Sequence, residues 1–207
     1  MIDWVTPNWP TIKGLHALTT CRHGGVSGYH RESLNLADHV GDDSTKVAEN
    51  RARLISQAGL TTQPYWLDQR HDNRVVNYQT AAKNQPLPAA DGCFSDQPNQ
   101  VCAILTADCL PILIRSTDGR QLAAVHAGWR GLHKGVIASA LKQFSRTSTI
   151  AWIGPAIGSG AYQVDDLLRT GFINLNPDYE ANFKPVSPGQ WQMELVPIAT
   201  QQLRAHG

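Results

Sequence analysis

The chain has 207 residues, 42% of them hydrophobic and 17% charged. That length and apolar share are enough for one domain with a proper core, and they exclude wholesale disorder. Lys and Arg total 18 against 17 for Asp and Glu, a formal charge of +1, so the charge balance makes no case for a nucleic acid partner or an anionic membrane surface. No apolar run reaches the length of a membrane span, and Met1-Ile2-Asp3-Trp4 does not open a secretory leader. Cys21, Cys93, Cys102 and Cys109 form no CxxC pair. Free thiols in a reducing, cytoplasmic compartment are therefore expected.

In chain order, residues 12–20 contain β-compatible side chains and end at the glycine turn Cys21-Arg22-His23-Gly24-Gly25. Residues 43–60 read as a helix. Asp43 or Ser44 caps it, Val47, Ala48, Leu54, Ile55 and Ala58 share a face, and Gly59 closes it. Short strands are predicted over 65–69 and 75–78. The compact apolar runs 101–105, 110–114 and 122–125 predict buried strands, divided by turn residues such as Asp118-Gly119. A helix follows over about 132–144, with Val136, Ile137, Ala140, Leu141 and Phe144 on one side. Residues 150–153 are another buried-strand candidate, ended by Gly154-Pro155. The polar stretch 183–192, with Pro185 and Pro188, predicts a surface loop or a short edge hairpin. A last helix opens at Pro197 and runs toward His206. With no internal repeat, the pattern predicts a single α/β or α+β domain, sheets inside and helices outside.

Three soft or borderline metal ligands, His71, Cys109 and His126, sit where apolar runs meet turns. They are too far apart for zinc-finger chelation. A sheet can nevertheless present them together, and three protein ligands leave a fourth tetrahedral position open, the pattern of a catalytic zinc. A buried thiol and two hydrogen-bonded histidines fit the same residues. His126-Ala127-Gly128-Trp129-Arg130-Gly131 leads from a strand into a helix. There a helix start and Arg130 can hold an anion, and Trp129 can stack on a ring; a plain βα turn with Trp129 buried and Arg130 on the surface is the commoner outcome. The turn around Arg22 is also anion-friendly, or an ordinary hairpin. Asp91 and Asp108 are possible general acids or orienters of a ligand, although most such aspartates only close turns. GxGxxG, GxxxxGK[ST] and GxSxG are all absent, which removes the dinucleotide, Walker and ordinary α/β-hydrolase fingerprints. His30-Arg31-Glu32 lacks the P-C-x-x-C that a cytidine-type deaminase needs.

Thr106-Ala107-Asp108-Cys109-Leu110-Pro111-Ile112 and Val125-His126-Ala127-Gly128-Trp129-Arg130-Gly131 resemble the two central motifs of the YfiH-like laccase-domain family. Ser33-Leu34-Asn35-Leu36, His39-Val40-Gly41-Asp42, Trp66-Leu67-Asp68-Gln69-Arg70-His71 and Ile153-Gly154-Pro155-Ala156-Ile157-Gly158 match further blocks in the same order. The resemblance covers nearly the whole chain. It implies an α-β-β-α sandwich, also found in the catalytic domain of a bacterial deamidating toxin, and a metal held by His71, Cys109 and His126. Members were first named multicopper polyphenol oxidases and later described as zinc-dependent purine nucleoside enzymes. These phosphorolyse adenosine, inosine and methylthioadenosine and deaminate adenosine. On that basis zinc is the expected cofactor, and purine nucleosides and phosphate are the expected small-molecule partners of a monomer or weak oligomer. Arg22 and Arg130 are candidates to gather phosphate, Asn35 and Gln69 to orient ribose or base, Trp129 to stack, and Asp108 to act as acid or orienter.

The chain departs from the family pattern in four places. Asp72 replaces a glycine, Gln163 stands where an acidic residue usually follows the aromatic one, and Ser159-Gly160-Ala161 lacks cysteines found in some members. Gly207 falls short of the family's Ser-Tyr-Arg-Arg-like block, so activity is expected to be reduced if that block helps close the site. Three other functions compete. A copper polyphenol oxidase is disfavoured because none of the eight histidines forms a His-x-His pair and only Met1 and Met193 can serve as axial ligands. A peptidoglycan precursor-editing hydrolase would use Cys109 as nucleophile beside His126. A non-enzymatic metal-binding module would keep the pocket without turnover.

Overall fold

The computed structural model describes residues 1–81, 88–145 and 147–206. Near the N-terminus, β1 (Trp4–Val5) pairs antiparallel with β2 (Thr19–Thr20). Of the β-compatible stretch 12–20, the last two residues form a paired strand. Helix α1 (Ser44–Gln57) begins where its capping chemistry places it: the Asp43 carboxylate accepts from the Thr45 N–H, and Gly59 follows the helix with φ +62°. Val47 and Leu54 are buried on its inner face, together with Asn50. The Asn50 amide accepts from Val26 N and donates to Ser27 Oγ and to the Ser33 and Asn35 carbonyls. A polar side chain thus pins this helix to the irregular 26–35 segment, and its burial is tolerated because every bond is made.

The middle of the chain builds a mixed sheet of β3 (Val75–Asn77), β4 (Gly92–Ser95), β5 (Leu110–Ser116), β6 (Leu122–Ala127) and β7 (Thr149–Ile153). The strand order is β3-β4-β6-β5-β7, with β3 and β4 parallel and the other pairs antiparallel. β3 ends in the short helix α2 (Tyr78–Ala81). Along β5, Leu110, Ile112 and Ile114 point into the main core. There they meet α3 (Trp129–His133), α4 (Val136–Leu141) and the C-terminal helix α6 (Leu195–His206) through Leu132, Val136, Ile137 and Ile198. Period-two alternation sends Pro111, Leu113 and Arg115 to the other face, which a wide cleft overlies. A second, three-stranded sheet, β8-β10-β9, consists of β8 (Gln163–Asp165), β9 (Phe183–Ser187) and β10 (Gln190–Met193). Helix α5 (Asp166–Leu175) follows β8, capped by the Asp165 carboxylate on Leu168 N.

The architecture is the expected mixed α/β fold, and several local expectations need correction. The predicted 132–144 helix starts earlier, at Trp129, and is split by Gly135, whose φ of +81° no helix interior accepts. Residues 65–69 and 101–105 are not ladder strands; they take part in isolated bridges, Tyr65 to Cys102 joining the two segments and Asp68 to Ala89. Strand β7 is half-exposed rather than buried, because it is the sheet's edge and pairs with β5 alone. Strand β4 was not anticipated because Asp91-Gly92 reads as a turn. In the fold Gly92 is the residue that allows close packing of β3, since a Cβ there would lie 2.9 Å from Val75. Residues 183–192 form the edge hairpin rather than the loop, and the last helix begins two residues before Pro197.

Replacing Ile112, fully buried on the core face, by Ala is expected to cost about 2–5 kcal/mol of stability. A urea titration that shows less than about 1 kcal/mol would place the core elsewhere.

Candidate metal centre

Each of the three ligand candidates is held by a different element. His126 lies on β6 opposite Pro111 of β5, Cys109 immediately precedes β5, and His71 sits in an irregular turn with a left-handed φ of +57°. Their donor atoms all fall within 4.8 Å of one another, and the two imidazole rings meet edge to face at 4.7 Å. They are the one such group of three found among the described residues.

The carboxylate of Asp91, fully buried just before β4, organises this cluster. Its Oδ1 accepts from the His71 N–H at 2.9 Å and meets His126 Nδ1 at 2.8 Å, while Oδ2 accepts from the Arg70 and Asp72 N–H groups. The Asp91 carbonyl also accepts from His126 N. The backbone bonds hold the left-handed turn at His71, a conformation that costs a non-glycine residue about 1 kcal/mol or more. The ring bond commits Nδ1 of His126 and leaves Nε2 for a metal or for the Cys109 sulfur. Cys109 is steadied from its own turn, where Thr106 Oγ1 donates to the Cys109 carbonyl and Ile157 N to the Asp108 carbonyl. At Gly128 a Cβ would lie 2.7 Å from Cys109 Sγ and 3.1 Å from the His71 ring. A glycine is therefore required where the strand leaves the site for α3.

The site has a definite electrostatic bias. Burial alone opposes charge on His126, but its bonds to Asp91 and Cys109 outweigh that and raise its pKa to about 9. Burial and the neighbouring His126 lower the pKa of His71, with Asp91 opposing and Arg130 assisting. For Asp91, burial pushes upward, yet the His126, Asp72 and Arg70 bonds prevail and keep its pKa below the ordinary carboxylate value. The nearby Tyr162 phenol is pushed up to about 12, first by burial and then by Cys109.

The triad opens on a cleft of about 1080 Å³ whose walls include Arg22, Asn35, Gln69 and Asp108. Asp108 is exposed there, next to Cys109. Arg22 is exposed at the mouth, donating from Nε to the Glu32 carbonyl and lying 3.7 Å from the Glu32 carboxylate. Both ends of the Gln69 amide are spent on Leu105, accepting from its N–H and donating to its carbonyl. Asn35 is likewise engaged with Ala37 and Asp42. Trp129 lines a separate, smaller depression with His133 and Leu168, and Arg130 stacks on its ring at 4.4 Å. Arg130 is exposed, and its charge reaches His71. The sequence named Asp91 as a possible acid or orienter; the structure bonds it to both histidines, to His71 through its backbone N–H and to His126 through its ring. The sequence carried no signal for Thr106 or for the role of Gly128.

The profile of the family described as multi-copper polyphenol oxidoreductase laccase matches residues 16–207. The chain belongs to this laccase-domain, or YfiH, family. It is 41% identical over 207 residues to a purine nucleoside phosphorylase of Haemophilus influenzae, covering 98% of this chain and 84% of that one. It is 39% identical over 185 residues to the purine nucleoside phosphorylase YfiH of Escherichia coli, covering 88% and 75%. Among solved structures, the Neisseria meningitidis protein NMB0706 superposes with a TM-score of 0.92 at 34% identity, over 99% of this chain and 84% of that one. YlmD of Geobacillus stearothermophilus follows at 0.87 and 29%, covering 99% and 81%. Among the described residues no helix is long and apolar enough to cross a membrane.

The residues fit a metal ion. Two imidazoles and a thiol converge, one imidazole is oriented by a carboxylate on its far nitrogen, and the backbone beside them is cut back to glycine. Replacing Asp91 by Asn is expected to weaken metal affinity about 10–100-fold, measured by competition with a chromogenic chelator; an unchanged affinity would remove Asp91 from the site. Metal uptake must expel the His126 proton, so affinity should climb at least about tenfold per pH unit up to pH 9. In the metal-free protein the raised pKa has the opposite consequence. The imidazolium–Asp91 pair stabilises the fold fully below pH 6.5, and that contribution is lost as pH rises through about 9. Calorimetric titration in buffers of different ionisation enthalpy, with melting curves of the metal-free protein, measures both.

Proposed function

We propose that this protein is a zinc-dependent purine nucleoside phosphorylase that splits adenosine, inosine or S-methyl-5′-thioadenosine into a free base and a ribose 1-phosphate, and that the same site deaminates adenosine. The observation that carries this reading is the convergence of His71, Cys109 and His126 at the wall of a cleft large enough for a nucleoside and phosphate. The purine nucleoside phosphorylase names of the similar proteins support it. A donor set of two imidazoles and one thiolate suits zinc. Met193 is buried in the main core, so it offers this site no axial thioether of the kind a copper centre uses.

When bound, the metal supplies a Lewis acid at the cleft wall. The chain's own groups supply the rest. Asp91 keeps His126 in one ring orientation and fixes the turn that presents His71. Asp108 places a solvent-accessible carboxylate beside Cys109, where it can carry a proton to or from a departing base. Arg22 exchanges its weak contact with Glu32 for phosphate at the mouth, and Arg130 adds positive charge on the His71 side. Asn35 and Gln69 form cleft walls whose amides hold the backbone, and they present the substrate with shape more than with free donors. Trp129 contributes by supporting Arg130.

The test is metal analysis of the purified protein followed by a base-release assay with each nucleoside, with and without phosphate. Stoichiometric zinc and phosphate-dependent release of base are expected. Cys109→Ser should lose the metal and at least about 99% of turnover, and Arg130→Ala should raise the phosphate KM about tenfold with a smaller change in kcat. Turnover that persists after zinc is removed, and that is abolished by alkylating Cys109, would instead favour the thiol hydrolase.

A further inference from the structure

Two of the four cysteines lie outside the metal cluster and touch each other. Cys93 is the second residue of β4 and is fully buried. Cys102 is half-buried, lies on the wall of the large cleft, and bridges to Tyr65. Their sulfur atoms are 3.1 Å apart, closer than two sulfurs in ordinary van der Waals contact. A disulfide needs about 2.05 Å, so the pair lacks about an ångström of approach. One member faces the cleft and the other is held rigidly behind it. The first can meet a small reagent, and the second is already in position to resolve the product.

We propose that Cys93 and Cys102 form a redox-active dithiol, a modification site for peroxides that closes reversibly to a disulfide. The Cys102 sulfur attacks one peroxide oxygen, an S–O bond forms as the O–O bond breaks, and one water leaves. The Cys93 sulfur then attacks the Cys102 sulfur, the S–S bond forms, the S–O bond breaks, and the second water carries off the remaining thiol proton. Two thiols lose two electrons and the peroxide gains them. The contact with Cys93, and then burial, hold the Cys102 thiol well above its usual range, so closure is slow at neutral pH and resting thiols persist until oxidant accumulates.

The place of the pair in the fold gives closure a consequence. Cys93, on β4, stands two residues after Asp91, the carboxylate bonded to both histidines, which immediately precedes that strand. Cys102 belongs to the segment that Gln69 grips at Leu105 and that leads into Cys109. The bond would tie the strand behind Asp91 to the segment in front of Cys109. It would therefore stiffen the two sides of the metal site against each other.

The experiment treats the metal-loaded protein with hydrogen peroxide, blocks the remaining thiols by alkylation, and maps peptides by mass spectrometry before and after reduction. The expected result is a Cys93–Cys102 cross-linked peptide lacking two hydrogens. It should come with a rise of about 5–10 °C in Tm that dithiothreitol reverses. In the Cys102→Ser protein both the cross-link and the Tm shift should vanish, while the metal content stays that of the parent. Cys93→Ala, at a fully buried position, is the second variant, and alkylation mapping of the unaltered chain needs neither. Cys93 and Cys102 both still alkylatable after peroxide, a Cys102 sulfinic acid with no cross-link, or an oxidised protein with unchanged Tm would overturn the proposal.

Discussion

Four hydrogen-bond donors from two distant parts of the chain converge on the Asp91 carboxylate, and the rest of the site depends on that convergence. Three are backbone N–H groups of consecutive residues, Arg70, His71 and Asp72, and the fourth is a ring nitrogen of His126. A carboxylate removed this completely from water is strongly unfavourable unless its lone pairs are occupied. Here occupying them requires the 70–72 turn to adopt a left-handed residue and the β6 histidine to face one way. Both histidines are bonded to this shared partner, His71 through its backbone and His126 through its ring. Burial, hydrogen bonding and site geometry are one interaction seen from three sides.

The central sheet gives the site its rigidity. Its core face is conventional, with Leu110, Ile112 and Ile114 set against helices α3, α4 and α6. The opposite face, with His126 and Pro111 in register near one end and Leu122 and Arg115 at the other, forms part of the cleft wall. Segments without regular structure cover that face, and they are held by side chains rather than ladders. Gln69 substitutes for a strand partner of Leu105, Asn50 for a partner of the 26–35 segment, and the buried Arg115 guanidinium for a partner of the Pro10 carbonyl. Such amide and guanidinium bonds satisfy buried backbone groups where no strand can reach. They let a cleft remain open above a sheet that would otherwise need a second layer.

The same economy explains why polar residues that invite a substrate role do other work. The amides of Asn35 and Gln69 have donors and acceptors of the right kind for ribose or base, but backbone groups already occupy them. Asp108, by contrast, is exposed beside the His71, Cys109 and His126 cluster, and the Arg22 guanidinium is held by exposed contacts with the Glu32 carbonyl and carboxylate. An exposed pair of that kind is worth little and exchanges readily for a bound anion. Binding groups in this cleft are best sought among side chains whose present partners are weak.

Much was readable from the order of residues alone. The strands at Leu110 and Leu122, the capped helix at Asp43 and the family blocks around Cys109 and His126 all follow from local pattern, because period-two alternation, capping and motif spacing are properties of neighbouring residues. The mixed α/β class follows from the same patterns. The residues that make a site of His71, Cys109 and His126 did not. Gly92 and Gly128 look like turn residues in the sequence, and only the packed fold shows that one lets β3 approach and the other leaves room for a sulfur and an imidazole. The loops at 65–69 and 101–105 have strand-like composition, yet the fold gives them side-chain partners in place of a ladder. Composition and spacing report what a segment prefers by itself. Which carboxylate ends up beneath which histidine depends on contacts between residues tens of positions apart, and tertiary structure alone decides those.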